Sequence, residues 1–222
     1  MRNLILSLVA VLTVFMLPAQ TEEATDKRPV ADNVLFIGDS MTGWLAERLH
    51  AYGKQNGFDV STVVWDGSTI KKWGSTPKLP TLVKTYKPDV ILVSLGMNEL
   101  FEPKPSRFKA QVDAIKAAAG DVPVIWVGPP SWPGHGKGET LNSWLADEMG
   151  DGHFFRSFDL KLPRQSKTNP HPTRQGMIEW MDAVVNWIQE DGAVKLPGIE
   201  RPTGDQMSRG KNFVYKRMKE TL

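Results

Sequence analysis

The sequence predicts a three-layer α/β fold, a mostly parallel sheet with helices on both faces. Short apolar runs alternate with longer amphipathic segments between residues 33 and 190, the rhythm of βαβ units. Val34-Leu35-Phe36-Ile37 and Val90-Ile91-Leu92-Val93 are apolar at every position, as strands buried on both faces must be. A chain of 222 residues, 41% hydrophobic and 23% charged, is also large enough to bury one core of its own.

The first strand runs to Gly38. Trp44, Leu45, Leu49 and Tyr52 then recur at helical spacing, so a helix is expected from Met41 to about Gln55, stopped by Asn56-Gly57. Phe58 to Val64 is rich in β-branched residues and ends at Asp66-Gly67, as a second strand would. A helix-like stretch closes at Tyr86 ahead of Pro88, and Asp89 to Leu95 gives the third strand. Arg107 to Ala119 reads as a helix closed by Gly120, and Val122 to Val127 as a strand ending at Gly128-Pro129-Pro130. Glu139 to Met149 is a helix, His153 to Phe158 a short strand and Thr173 to Gln189 the last helix. From Asp191 the chain carries Pro197, Gly198, Pro202 and Gly204, then a basic segment from Lys211 to Lys219. A surface tail or an added C-terminal helix is expected there, with polymer or membrane docking through its positive charge as the alternative.

Residues 1–20 read differently. Arg2 precedes an apolar run from Leu4 to Leu17, followed by Pro18-Ala19-Gln20 and the polar Thr21-Glu22-Glu23. That is the layout of a secretory signal peptide, and the run is short of the roughly 20 residues of a membrane span. Export to the periplasm or medium is expected, with membrane attachment only if this segment is not removed. Leu17 is bulky for a position three before a cut after Ala19. Residues 21–32 are polar and read as a linker, and 191–222 as an extension of the main domain.

Composition narrows the function classes. The chain has no cysteine, which excludes disulfides, thiol catalysis and cysteine-ligated zinc. Its net charge is +2, from 27 basic and 25 acidic residues without a long basic block, so no nucleic-acid footprint is present.

Ligand sites of open α/β sheets lie at the carboxyl ends of the strands. Four residues fall there: Ser40 after the first strand, Gly67 after the second, Asn98 after the third and His171 just before the last helix. Each has an ordinary structural explanation. Ser40 suits a helix N-cap, Gly67 a turn, Asn98 a cap or turn, and His171 a surface loop. Together they suit acyl transfer: a serine aided by the positive end of a helix, an imidazole base, and an oxyanion hole from the Ser40 and Gly67 N–H groups and the Asn98 amide. Pro170 and Pro172 stiffen the backbone around His171.

These positions, in this order, resemble the blocks of the SGNH (GDSL) hydrolase superfamily from about Asn33 to Ile188, within an expected hydrolase domain of residues 33–190. Ser40 matches the serine of Gly38-Asp39-Ser40, Gly67 the glycine block, Asn98 the asparagine of Gly96-Met97-Asn98, and His171 the late histidine followed by Pro172-Thr173. The resemblance implies a flavodoxin-like sheet of five strands and ester hydrolysis through an acyl-Ser40, with His171 as base and no metal or organic cofactor. One position departs from the pattern. The family usually carries an aspartate three residues before the histidine, where this chain has Thr168. A Ser–His dyad steadied by Thr168 or a backbone carbonyl is expected, with Asp159 as an alternative partner and lost catalysis as another outcome. Without a carboxylate beside it, His171 is expected to titrate near the ordinary value of about 6.5. Glu99 stands where an aspartate often follows the asparagine.

The expected substrate is an acylated glycan, its acyl group an acetyl, or a small ester. Trp73 and Trp132 are expected in loops beside the site, where flat aromatic faces suit sugar rings. An O-acetyltransferase acting on a glycan through the same acyl-serine, or a non-catalytic glycan-binding module, are the alternatives.

Overall fold

The computed structural model describes residues 26–220 and 222; the expected signal segment 1–20 and the first part of the 21–32 linker lie outside them. Six strands form one parallel sheet: β1 (Asn33–Gly38), β2 (Asp59–Trp65), β3 (Val90–Ser94), β4 (Val124–Val127), β5 (Phe154–Phe155) and β6 (Phe213–Lys216), in the order β5-β4-β3-β1-β2-β6. The sixth strand departs from the five-strand expectation. It comes from the C-terminal extension, which is neither a loose tail nor a helix: Thr62 to Trp65 of β2 pair in parallel with Phe213 to Lys216.

The strands alternate by twos, and that alternation builds the layers. Val34 and Phe36 of β1 point into one core with Val90 and Leu92 of β3. Helices α1 (Thr42–Asn56) and α6 (Arg174–Asp191) close that core with Leu45, Leu49, Trp180, Met181, Val184 and Ile188. Leu35 and Ile37 point the other way with Ile91, Val93 and Trp126. They meet α2 (Ile70–Ser75), α3 (Lys78–Tyr86), α4 (Lys109–Ala119) and α5 (Glu139–Met149). No helix among the described residues is long and apolar enough to cross a membrane.

Sequence and structure diverge mainly at short elements. The run expected as a strand from His153 to Phe158 pairs only at Phe154–Phe155 before a 3-10 turn at Ser157–Asp159. Helix α2 is only 6 residues long, too short for periodicity to reveal. The later part of the expected linker is docked, with Arg28 donating to the carbonyls of Ile188, Gln189 and Gly192 at the end of α6.

A buried ion cluster ties the extension to the helices. Arg48 of α1, fully buried, pairs with Asp182 of α6 at 2.8 Å. Its other nitrogens donate to the carbonyls of Pro202 (3.1 Å) and Gln206 (2.9 Å). Tyr52 and Arg201 also reach the Asp182 carboxylate.

Candidate active site

β1 lies beside β3 on one side and β2 on the other, so the loops after these strands open where the order of connection reverses. The turn after β1 is tight. A Cβ at Gly38 would stand 2.1 Å from the Ser94 carbonyl and 2.2 Å from Thr42 Oγ1, so only glycine lets β1 turn this close to β3. Asp39 then accepts the Met41 N–H on Oδ1 (2.9 Å), which orders the start of α1. Ser40 is left free of capping duty. No side chain caps α1 at Met41, and Ser40 Oγ lies 2.9 Å from His171 Nε2 across 131 positions of sequence.

His171 is held from several sides. Thr173 caps α6 by accepting the Gly176 N–H. Arg164 donates to the Pro170 carbonyl and to that of Ser131 (2.6 Å), joining the histidine loop to the loop after β4. The Asn169 side-chain oxygen accepts the backbone N–H of His171 at 2.9 Å and faces Nδ1 at 3.3 Å. An oxygen in that place requires the proton on Nδ1, which leaves Nε2 to accept from Ser40.

Asn169 therefore occupies the place expected for Thr168. Thr168 is exposed and pairs with Ser166 Oγ at 3.1 Å. Asp159 is also removed from the role, since its carboxylate is engaged by Arg156 at 3.1 Å on the surface. The sequence carried only a partial signal for Asn169: asparagine before proline favours an Asx turn, in which the side chain accepts the N–H two residues on, but the pattern does not say that the same oxygen faces the imidazole.

Burial pushes the His171 imidazole below its usual range; the Asp66 charge opposes that shift and Arg164 reinforces it. This corrects the expectation of an unperturbed histidine. A base must be neutral, so activity is lost only as pH falls through this lowered value. The acid limb of kcat/KM is expected below the ordinary histidine value of about 6.5. Asn169→Asp puts a carboxylate against Nδ1 and is expected to move that limb upward by about one pH unit, whereas Thr168→Asp leaves it in place. Equal profiles for the wild type and Asn169→Asp would remove Asn169 from this role.

The oxyanion donors are placed less symmetrically. Asn98 follows β3 in a 3-10 turn (Met97–Glu99), and its amide gives one proton to the Ser68 carbonyl at 2.7 Å. Its second proton is available to a ligand. Gly67 sits between Asp66 and Ser68 with φ of 60°, and Met218 covers it: a Cβ there would meet Met218 Cε at 2.6 Å. Ser40, Asn98 and His171 share a cleft of about 500 Å³ with Trp132 and Phe101, and Gly67 does not line it.

The two tryptophans part company. Trp73 belongs to α2, is 1% exposed and donates to Ser68 Oγ at 2.9 Å. It is a core residue supporting the turn, and the expectation of a sugar-facing Trp73 is corrected. Trp132 does border the cleft, anchored by its Nε1 on the Lys167 carbonyl (3.0 Å) and stacked on Phe101 with ring centres 6.2 Å apart.

Two carboxyls border the site, Asp39 buried behind it and Glu99 half-buried on the cleft wall. Glu99 accepts the Ile70 N–H on Oε1 (2.7 Å), and burial pushes it up to about 7. Asp39 is also pushed up to about 7 by burial, with the Glu99 and Asp66 charges adding to the shift. Asp39 Oδ2 and Glu99 Oε2 have no partner among the described residues. Unfolded carboxyls titrate near pH 4, so between about 4 and 7 the folded protein holds protons that the unfolded chain has released. Stability falls as pH rises through that window. Asp39→Asn is therefore expected to raise Tm relative to the wild type at pH 8 and much less at pH 5, measured by circular dichroism. The same offset at both values would refute a buried proton at Asp39.

In class, this is an α/β protein with a serine–imidazole pair at the carboxyl edge of its sheet. Two solved structures are similar to it. One, from Desulfitobacterium hafniense DCB-2, is described as a lipolytic protein of the G-D-S-L family; it is 18% identical with a TM-score of 0.48, covering 67% of this chain and 97% of that one. The other is a gut microbial diltiazem-metabolizing enzyme, 12% identical with a TM-score of 0.47 over 72% of this chain. This chain spans about half of it, 47%. No family model and no curated protein matches.

Proposed function

We propose that the protein is a serine ester hydrolase of the SGNH (GDSL) type. The observation that carries this reading is the 2.9 Å approach of Ser40 Oγ to His171 Nε2, between residues brought together only by the fold. Ser40 attacks the ester carbonyl as His171 Nε2 takes its proton. The tetrahedral oxyanion is met by the Ser40 and Gly67 N–H groups and the Asn98 amide. The imidazolium then protonates the leaving alcohol, and an acyl-Ser40 remains. Water, activated by the neutral imidazole, releases the acid and restores the serine. Asn169 fixes the tautomer without a charge of its own, so the imidazolium is stabilised less than beside a carboxylate.

The natural ester in this reading is an acylated glycan, its acyl group an acetyl. Trp132 and Phe101 beside Ser40 support this, because a stacked aromatic face suits the apolar face of a sugar ring. Export is part of the proposal and rests on the sequence of residues 1–20. A fluorophosphonate reagent tests the chemistry: the wild type is expected to be labelled at Ser40 and to hydrolyse p-nitrophenyl acetate. A folded wild type that does neither sinks the reading.

A further inference from the structure

The serine–histidine pair is open on two sides. On the far side from Trp132 a second cleft, of about 550 Å³, is bordered by Ser40 and His171 together with Trp44, Asp66, Arg209 and Tyr215. Its outer wall is the C-terminal extension, with Tyr215 on β6 and Arg209 on the loop before it. Trp44 and Tyr215 are 41% and 48% exposed, large aromatic faces left toward solvent beside a nucleophile. Arg209 is fixed by Glu47 at Nε (2.7 Å) and over the Phe213 ring at 5.0 Å.

We propose that this second cleft binds a sugar unit next to the acylated one, so that the protein removes acyl groups from within a glycan chain. The proposal rests on the ester-hydrolase reading and extends it. The mixed lining selects the occupant. A fatty acyl chain would cover the Asp66 carboxylate without giving it a partner, and would desolvate the Arg209 guanidinium with only Glu47 bonded to it. A sugar ring lays its apolar face on an aromatic ring and turns its hydroxyls to the carboxylate and guanidinium. Aromatic shelves on both sides of one serine, Phe101 with Trp132 and Trp44 with Tyr215, fit a chain passing across it, its acyl group hanging at Ser40. The extension thereby acquires a purpose: it builds half of the substrate path.

The test compares wild type, Trp44→Ala and Tyr215→Ala on p-nitrophenyl acetate, on partially O-acetylated xylan, pectin, alginate and peptidoglycan strands, and on acetylated monosaccharides. With p-nitrophenyl acetate, kcat/KM is expected to stay within about 2-fold of wild type, since neither ring touches the reacting atoms. The wild type is expected to prefer at least one polymer to its monosaccharide. On that polymer each variant is expected to lose about 5- to 10-fold, mainly through KM, the worth of one stacking contact. The proposal is overturned if the variants match wild type on every polymer, or if the wild type favours monosaccharides or cleaves no polymer. It is also overturned if the wild type prefers longer-acyl p-nitrophenyl esters and the variants lose that preference, which would make the cleft an acyl pocket. A wild type inert to p-nitrophenyl acetate and to fluorophosphonate refutes the hydrolase reading instead. Affinity electrophoresis of Ser40→Ala on the same polymers, with and without Tyr215→Ala, then decides the subsite alone: retardation weakened by Tyr215→Ala supports it, and equal mobility overturns it.

Discussion

Ser40→Ala is expected to lower kcat for p-nitrophenyl acetate by about 10⁴-fold or more, His171→Ala by a similar factor, and the double variant by no more than either single one. The non-additivity follows from the geometry. At 2.9 Å the hydroxyl and imidazole act as one unit, and a serine without its base is an alcohol with almost no alkoxide at neutral pH. Ser40 caps nothing and His171 is only part-buried, so neither loss should cost much stability; a Tm close to wild type separates chemical from structural damage. Losses that multiply in the double variant would mean that the two side chains act in separate steps, against the mechanism proposed here.

Asn98→Ala is expected to cost about 10²- to 10³-fold in kcat with little change in KM, the usual effect of losing one oxyanion donor. The amide is poised because the Ser68 carbonyl already holds one of its protons at 2.7 Å, which orients the other before substrate arrives. Asn98→Asp keeps the shape, loses the donors and sets a negative charge where another develops, so it should be at least as damaging. A variant that raised KM and left kcat alone would place Asn98 among ground-state contacts instead.

Much of this site was legible in the sequence because strand ends are legible. Gly38, Asp66-Gly67 and Gly96 break fully apolar or β-branched runs, and the residues just beyond them are those the parallel sheet gathers at one edge. The histidine was distinguishable among four by its two prolines. What could not be read was which neighbour faces the imidazole. Thr168 and Asn169 are adjacent, and the choice turns on an Asx turn whose geometry a linear pattern does not carry. Trp73 misled because a six-residue helix shows no period, so a buried indole looked like a loop residue. β6 was hidden for a related reason: Phe213 to Lys216 carries Tyr215 and Lys216 within a basic stretch, which resembles a solvated tail more than a strand.

The cluster around Arg48 bears on how the molecule comes apart. An edge strand joined to the sheet across some 150 positions of sequence, as Asn212 is to Ser61 (151 apart), is ordinarily the first part of a sheet to fray and the last to form. Here fraying that reached Pro202 and Gln206 would peel their carbonyls away from a guanidinium that is fully buried, leaving it Asp182 alone with some of its N–H groups unpaired, and each buried donor left unsatisfied costs about 1–3 kcal/mol. The edge is thus chained to the core by a charge that cannot be left behind. Heat should not strip the outer wall from a still-working serine; wall and nucleophile go together, in one melting event.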